Sequence, residues 1–235
     1  MTEQLRSIAR AGRGVALACT VMVTSLAAAN SADVRLDRIG EAAVGDALPP
    51  GWQVRPVRGQ KAPMTRVVRD DTHGQALRFE GRGQAAFFAN ELKNPMEVSN
   101  GQLRWSWRVD RPLANAVLQD AARDDSPARL MVIFGRQGPF ARPRIIFYTW
   151  GHAEPRGTRF VSRASDRMNV IVLRNREDPI GTWMTEERDL DADYRAAFGA
   201  RSQNMGGIGF MSDTENLPSH GIALLGPVHW MPGRK

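Results

Sequence analysis

Cysteine is almost absent from this sequence, which has one among its 235 residues. That residue, Cys19, lies in the N-terminal leader, so a chain that loses the leader holds no thiol. Disulfides, a cysteine nucleophile and cysteine metal ligands are thereby excluded. The four histidines lie far apart and lack the spacings that bind zinc. A phosphate loop, a dinucleotide fingerprint and a Gly-x-Ser-x-Gly elbow are also missing, so nucleotide and nucleophilic chemistry have no support.

Lysine is scarce as well. Of the 32 Lys and Arg residues only Lys61, Lys93 and Lys235 are lysines, and the formal net charge is +7. The arginines are spread along the chain, whereas a nucleic-acid site needs a basic patch or stripe. The sequence therefore predicts no nucleic-acid partner, and its basic balance fits weak attraction to anionic surfaces or acidic glycans.

No hydrophobic run is long enough to suggest a membrane-spanning helix. The apolar run over residues 15–29 has about 15 residues, below the roughly 20 that cross a bilayer. Three arginines precede it and three alanines end it, which is typical of a cleaved signal peptide over residues 1–29. We expect a periplasmic or secreted bacterial protein that does not span the membrane after cleavage. An uncleaved anchor, or lipid attachment at Cys19, is the alternative.

The rest of the chain has the pattern of an all-β protein. Residues 30–47 are polar and form a short lead-in segment, and the turn signal over residues 48–51 opens a single domain, residues 48–235. Eleven short apolar runs follow, separated by turn residues: 52–57, 65–69, 76–80, 84–88, 103–109, 129–134, 144–150, 168–174, 182–190, 208–211 and 222–230. Such spacing predicts a two-sheet β-sandwich, and the pattern selects no oligomeric state.

Three segments illustrate the pattern. From Leu103 to Val109 apolar and polar residues alternate, which predicts one buried and one wet face. Residues 130–134 and 145–147 are continuously apolar, which indicates strands covered on both sides. Residues 191–198 have acids in the first turn and a glycine stop, which predicts one short helix.

Five segments resemble, in order, the blocks of an exported bacterial family called domain of unknown function 3047. The segments are Trp105–Val109, Asp124–Arg129, Tyr148–Gly151, Asp193–Gly199 and Met211–Asn216. The resemblance runs from about Leu48 to Trp230. It implies an exported β-rich domain and, by looser analogy, a jelly roll like those of galactose-binding-like or lectin-like modules, and it brings no activity. Glu215 departs from the family's usual aspartate.

Two acidic segments carry oxygen atoms that suit a hard cation. Asp124 and Asp125 precede a buried strand, and Asp213 and Asn216 belong to a second acidic segment. With backbone carbonyls, these four residues would supply six or more ligands for calcium, the one cofactor that the sequence suggests. The alternative is that Asp124 or Asp125 caps a turn and pairs with a neighbouring arginine.

A third acidic segment suggests catalysis. Glu187, Asp189 and Asp191 alternate, so a strand would project all three on one face, with successive members within about 7 Å along it. A retaining glycosidase needs two carboxyls about 5 Å apart. The segment resembles the acidic strand of lectin-like endoglycanases, with Asp191 where that family has glutamate, which makes Glu187 and Asp189 a candidate pair for glycan cleavage. The alternative is a solvent-facing strand paired with arginines.

Aromatic and arginine residues suggest binding without catalysis. Tyr148 and Trp150 share a face near a strand end and are candidates for stacking on a sugar, with Arg108, Arg129 and Glu187 as hydrogen-bonding residues. We expect a non-catalytic module that binds carbohydrate or cell-envelope glycan. A glycan-cleaving hydrolase and an envelope protein-protein interaction subunit are the alternatives.

Overall fold

Strands dominate the part of the chain that the structure describes. The computed structural model describes residues 33–57, 59–135, 142–217 and 219–233. The predicted signal peptide lies outside these residues. The strands are β1 Val34–Arg35, β2 Trp52–Pro56, β3 Met64–Asp70, β4 Gly74–Arg82, β5 Ala85–Met96, β6 Gly101–Arg111, β7 Ser126–Phe134, β8 Arg144–Trp150, β9 Arg159–Val161, β10 Met168–Arg174, β11 Met184–Arg188, β12 Met205–Asp213 and β13 His220–Pro232. A 3-10 helix, Ile39–Glu41, follows β1, and an α-helix, α1, spans Leu190–Phe198.

The strands form two sheets. Sheet A has the order β11-β6-β13-β4-β3, with β1 also paired to β13. Sheet B has the order β2-β5-β12-β7-β8-β10-β9. Neighbouring strands are antiparallel except β8 and β10, which are parallel and joined by a connection that contains β9. The predicted all-β, two-sheet sandwich of jelly-roll type is confirmed.

The two sheets bury a layer of aromatic rings between them. The alternation predicted in β6 places Trp105 and Trp107 on its inner face, where both are buried. Their ring centroids lie 5.1 Å from that of Tyr148 and 5.6 Å from that of Trp150, respectively, and both partners belong to β8 of the opposite sheet. Contacts between large rings at these separations stabilise the packing of the two sheets against each other.

Sheet B is covered on both faces. In β7, Leu130 and Val132 belong to the core between the sheets, whereas Met131 and Ile133 belong to a second apolar cluster on the outer face. Leu118, from the connection between β6 and β7, packs onto this outer cluster. The double coverage predicted for the continuous apolar strands is therefore confirmed, because both sets of alternating side chains are buried.

The polar lead-in segment is part of the sandwich. Leu36 and Ile39 are buried in the main core. The buried Asp37 accepts hydrogen bonds from the backbone N–H groups of Ile39 and Val228, both at 2.8 Å. β1 pairs with β13 beside it. The segment thus contributes apolar side chains and a short strand that its sequence pattern does not reveal.

Helix α1 closes one side of the sandwich, where the sequence predicts a helix. Asp189 caps its first turn by accepting a hydrogen bond from the Ala192 N–H at 2.9 Å, and Gly199 ends it with φ of 61°. Among the described residues, no helix has the length and apolar character needed to cross a bilayer.

Asp193 ties this helix to both sheets. Its carboxylate accepts hydrogen bonds from Arg188 of sheet A and from Tyr148 Oη and Arg159 of sheet B, at 2.6–2.8 Å. Burial opposes ionisation of Asp193, but these donors outweigh it and hold the pKa of the carboxyl below its ordinary value.

Candidate functional site

The residues predicted to bind a glycan do not come together. Tyr148 is 0% exposed and Trp150 is 2% exposed, and both rings pack against tryptophans between the sheets. The stacking platform predicted from these two residues is therefore wrong. Their side chains face the opposite sheet because the inner face of β8 carries its even-numbered residues, and no ring face is left for a sugar.

Arg108 and Glu187 lie on the outer face of sheet A, away from Arg129 on sheet B. Arg108 forms an ion pair with Asp110 at 2.7 Å and lies 5.1 Å from the ring centroid of Trp183. Its side chain is thus already bound within its own sheet.

The acidic strand also differs from the prediction. β11 ends at Arg188, so Asp189 and Asp191 do not continue it on one face. Asp189 and Glu187 do line one shallow cavity with Arg104. Arg104 binds Glu187 at 2.8 Å, however, and Asp189 caps α1. Because the helix begins at residue 190, the three carboxylates do not form a row. Glu187 forms a salt bridge and Asp189 caps the helix instead.

The two acidic segments suggested for calcium do meet, although about 90 residues separate them in sequence. Asp125 accepts hydrogen bonds from the backbone N–H and the side-chain amide of Asn216 and from the Leu217 N–H, at 2.7–3.1 Å. Asp124 accepts a hydrogen bond from Arg129 at 2.6 Å. The described residues contain no group of three or more His, Cys, Asp or Glu that would hold a metal ion. The structure therefore does not present the four residues as calcium ligands, because N–H donors already occupy both oxygens of Asp125 and one oxygen of Asp124.

The meeting point of these segments forms one end of a cavity of about 620 Å³ on the outer face of sheet B. Phe87, Met211 and Arg129 lie side by side across β5, β12 and β7. Phe147 of β8 extends this floor, with its ring centroid 6.4 Å from that of Phe87. The segment of residues 162–164 provides another part of the wall. Volume and an apolar floor are both typical of small-ligand sites.

The floor residues were missed by sequence reasoning. A signal for them was present, since Phe87 and Met211 fall in short apolar runs and Phe147 belongs to a strand predicted to be covered on both sides. Alternation along each strand assigns them to the same face only once the sheet order is known.

The polar end of the cavity contains two buried groups with unmet hydrogen-bonding capacity. Arg129 is 6% exposed and Asp213 is 4% exposed, and both line the cavity. Arg129 Nη2 lies 3.9 Å from Asp213 Oδ2. Within the described part of the chain, Arg129 Nε and Asp213 Oδ1 have no hydrogen-bond partner. A buried donor and a buried acceptor left in this state favour a ligand that offers both kinds of group.

Two carboxyls at this end, those of Asp213 and Glu215, have pKa values above their ordinary values. Burial raises the pKa of Asp213 to about 7; Arg129 opposes this in part, and repulsion from Asp125 and Glu215 adds to it. Burial and repulsion from Asp125 also raise the pKa of Glu215. Near neutral pH, Asp213 therefore exists in both protonation states, and a ligand that contacts it influences which one dominates.

Comparison with known proteins gives a family and a fold. A family model described as protein of unknown function (DUF3047) matches residues 50–229. No curated protein matches the chain.

Two similar solved structures come from Clostridium thermocellum. One is a family 11 carbohydrate-binding module in complex with a beta-1,3-1,4-mixed-linked tetrasaccharide; it is 11% identical, the match covers 86% of this chain and 97% of that one, and the TM-score is 0.50. The other is the family 11 carbohydrate-binding module of cellulosomal cellulase Lic26A-Cel5E, with 11% identity, 86% and 95% coverage, and a TM-score of 0.50. At this identity the likeness shows the fold alone.

Proposed function

Because this chain belongs to the DUF3047 family of proteins of unknown function, which carries no activity with it, we propose a function from the site: a non-catalytic module that binds carbohydrate in the cavity on the outer face of sheet B. The residues that would contact the sugar are Phe87, Phe147 and Met211 on the floor and Arg129 and Asp213 at the polar end.

The observation that carries this proposal is the pairing of an apolar floor with unsatisfied polar groups in one cavity. A sugar ring has apolar C–H faces and a rim of hydroxyls that both donate and accept hydrogen bonds. The aromatic rings of Phe87 and Phe147 suit the first, and Arg129 Nε and Asp213 Oδ1 suit the second. Two carbohydrate-binding modules share the fold, which supports the proposal by analogy only.

We further propose that the glycan belongs to the cell envelope and that the protein is periplasmic or secreted. The support is the predicted leader, which has a basic start, a short apolar run and small residues at its end. The net positive charge of the whole chain would add weak attraction to anionic envelope polymers.

Co-sedimentation tests the proposal. The purified protein is mixed with cell wall and with a panel of insoluble polysaccharides, and the bound fraction and any released sugar are measured. Phe87→Ala removes a half-buried ring from the cavity floor. We expect the affinity to fall about 2- to 10-fold, since an aromatic contact contributes about 0.5–1.5 kcal/mol beyond its burial.

Trp183→Ala is the matched control. Trp183 is also a half-buried aromatic residue, but its contacts with Arg108 and His73 place it on sheet A. We expect binding to survive this change, with thermal unfolding showing that both variants fold. Loss of binding in Trp183→Ala alone would move the site to sheet A. Released sugar would support the hydrolase alternative, and binding to none of the polymers would favour a protein partner.

A further inference from the structure

Carboxyl groups crowd around the polar end of the cavity. Asp124, Asp213 and Glu215 line it, and the nearby Asp125 adds its negative charge to theirs. Among the described residues, the guanidinium group of Arg129 is the positive charge that faces these four carboxyls. Acidic groups therefore exceed basic groups at this end, and the buried surroundings weaken the screening of their repulsion.

Most of these carboxyls already have partners. Arg129 binds Asp124, and amide N–H groups bind Asp125. Glu215 accepts a side-chain hydrogen bond from Gln60. Asp213 differs, because it is 4% exposed, lines the cavity and has no hydrogen-bond partner for its Oδ1 among the described residues. An unpartnered buried carboxylate oxygen calls for a donor, and its acidic neighbours favour a positively charged one.

We propose that this end of the cavity recognises a free amino group, so that the preferred ligand is a glycan built from unacetylated amino sugars. The inference rests on the proposed function. An ammonium group offers three N–H donors, which suit the oxygens of Asp213 and Glu215 together, and its charge offsets the excess of carboxylates. The sugar ring would then lie over Phe87 and Phe147, and an N-acetyl group would supply one neutral N–H in place of the charge.

The surrounding charges set the direction of the pH effect. The carboxyl of Asp213 faces Arg129 from β7, Asp124 and Asp125 from the segment before β7, and Glu215 from the segment after β12. The acids among these neighbours disfavour its ionisation, and an ammonium group would favour it. When the ligand's amino group is already protonated, binding is therefore expected to release the proton of Asp213 near neutral pH.

The remaining wall has its own cation. Arg163 lines the cavity and donates a hydrogen bond to the Gln119 carbonyl oxygen at 3.2 Å. Its exposed side chain is available to a hydroxyl or a carboxylate of the same glycan.

Calorimetric titration at pH 7 with three hexasaccharides of the same β-1,4 linkage tests the inference. The probes consist of glucosamine with free amines, N-acetylglucosamine and glucose. We expect the free-amine probe to bind about tenfold or more tightly than the other two, the size of effect that a hydrogen bond to a charged group produces. Asp213→Asn should abolish this preference and leave the weaker binding of the neutral probes intact. Glu80→Gln, at a half-buried acid on β4 of sheet A, should keep it.

Each result separates this inference from the proposed function. Equal affinity for the free-amine and N-acetylated probes overturns the inference, and so does a preference that survives Asp213→Asn in a folded variant. Failure of the free-amine probe to bind a protein that still sediments with glycan also overturns the inference alone. A protein that binds no glycan overturns both. Calcium binding that depends on Asp213 would assign the carboxyls to a metal and overturn the amino-group assignment.

Discussion

Replacing Asp213 with asparagine should stabilise the protein, and by more at high pH than at low pH. The side chain changes little in size, but the group that resists ionisation is removed. Burial raises the folded-state pKa of Asp213 to about 7, against an ordinary value of 3.8. Since the pKa is raised on folding, ionisation of Asp213 destabilises the folded chain. This penalty is absent below the unfolded pKa, grows as the pH rises, and is complete above the folded pKa.

The magnitude follows from the two pKa values. At about 1.4 kcal/mol for each pH unit, the difference between 3.8 and about 7 corresponds to about 4 kcal/mol at pH 8. At pH 5 the unfolded carboxyl is largely ionised and the folded one largely protonated, which leaves a penalty of about 2 kcal/mol. The gain in the free energy of unfolding on Asp213→Asn should therefore be about 2–3 kcal/mol larger at pH 8 than at pH 5.

Urea unfolding of both proteins at pH 5, 6.5 and 8, followed by tryptophan fluorescence, measures this quantity. The difference in the free energy of unfolding between the two proteins is compared across pH, because the packing of the new amide adds the same offset at every pH. An unchanged difference between pH 5 and pH 8 would show that Asp213 does not titrate near neutral pH in the folded chain, and the argument from burial would fail.

Two further changes test the core and the helix. Trp150→Ala should lower the free energy of unfolding by about 3–5 kcal/mol, because it empties a ring position against Trp107 between the sheets; a variant of unchanged thermal stability that loses glycan binding would restore the stacking role. Asp193→Asn should show the opposite sign to the change at Asp213. The folded pKa of Asp193 is lowered, so its ionised form stabilises the fold above about pH 4. Asp193→Asn should therefore lower the free energy of unfolding by about 3–5 kcal/mol at pH 7, and by progressively less as the pH falls through the folded pKa. Urea unfolding measures this loss.

Local patterns in the sequence predicted much of the fold. The alternation from Leu103 to Val109 assigned Trp105 and Trp107 to the core, and the structure buries both. The acids and the glycine around residues 191–198 predicted α1. These predictions succeed because side-chain alternation and helix capping depend on residues within a few positions of one another.

The site depended on contacts that no local pattern encodes. Arg129, Asp124, Asp213 and Asn216 were all singled out from the sequence, and the structure places all four around one cavity. The order of the strands decides which residues form the cavity floor and why Tyr148 is not among them. Alternation along a strand tells which side chains share a face, but it does not tell which sheet or loop covers that face.

The sequence by itself determined which residues alternate, where the helix begins and ends, and that acidic segments flank buried strands. Only the tertiary structure decided that two of those segments, about 90 residues apart, meet around Arg129, and that the third becomes a helix cap and a salt bridge. The reason is physical. Register between distant strands is selected by the burial of whole faces, and that selection fixes which loops share one end of the sandwich.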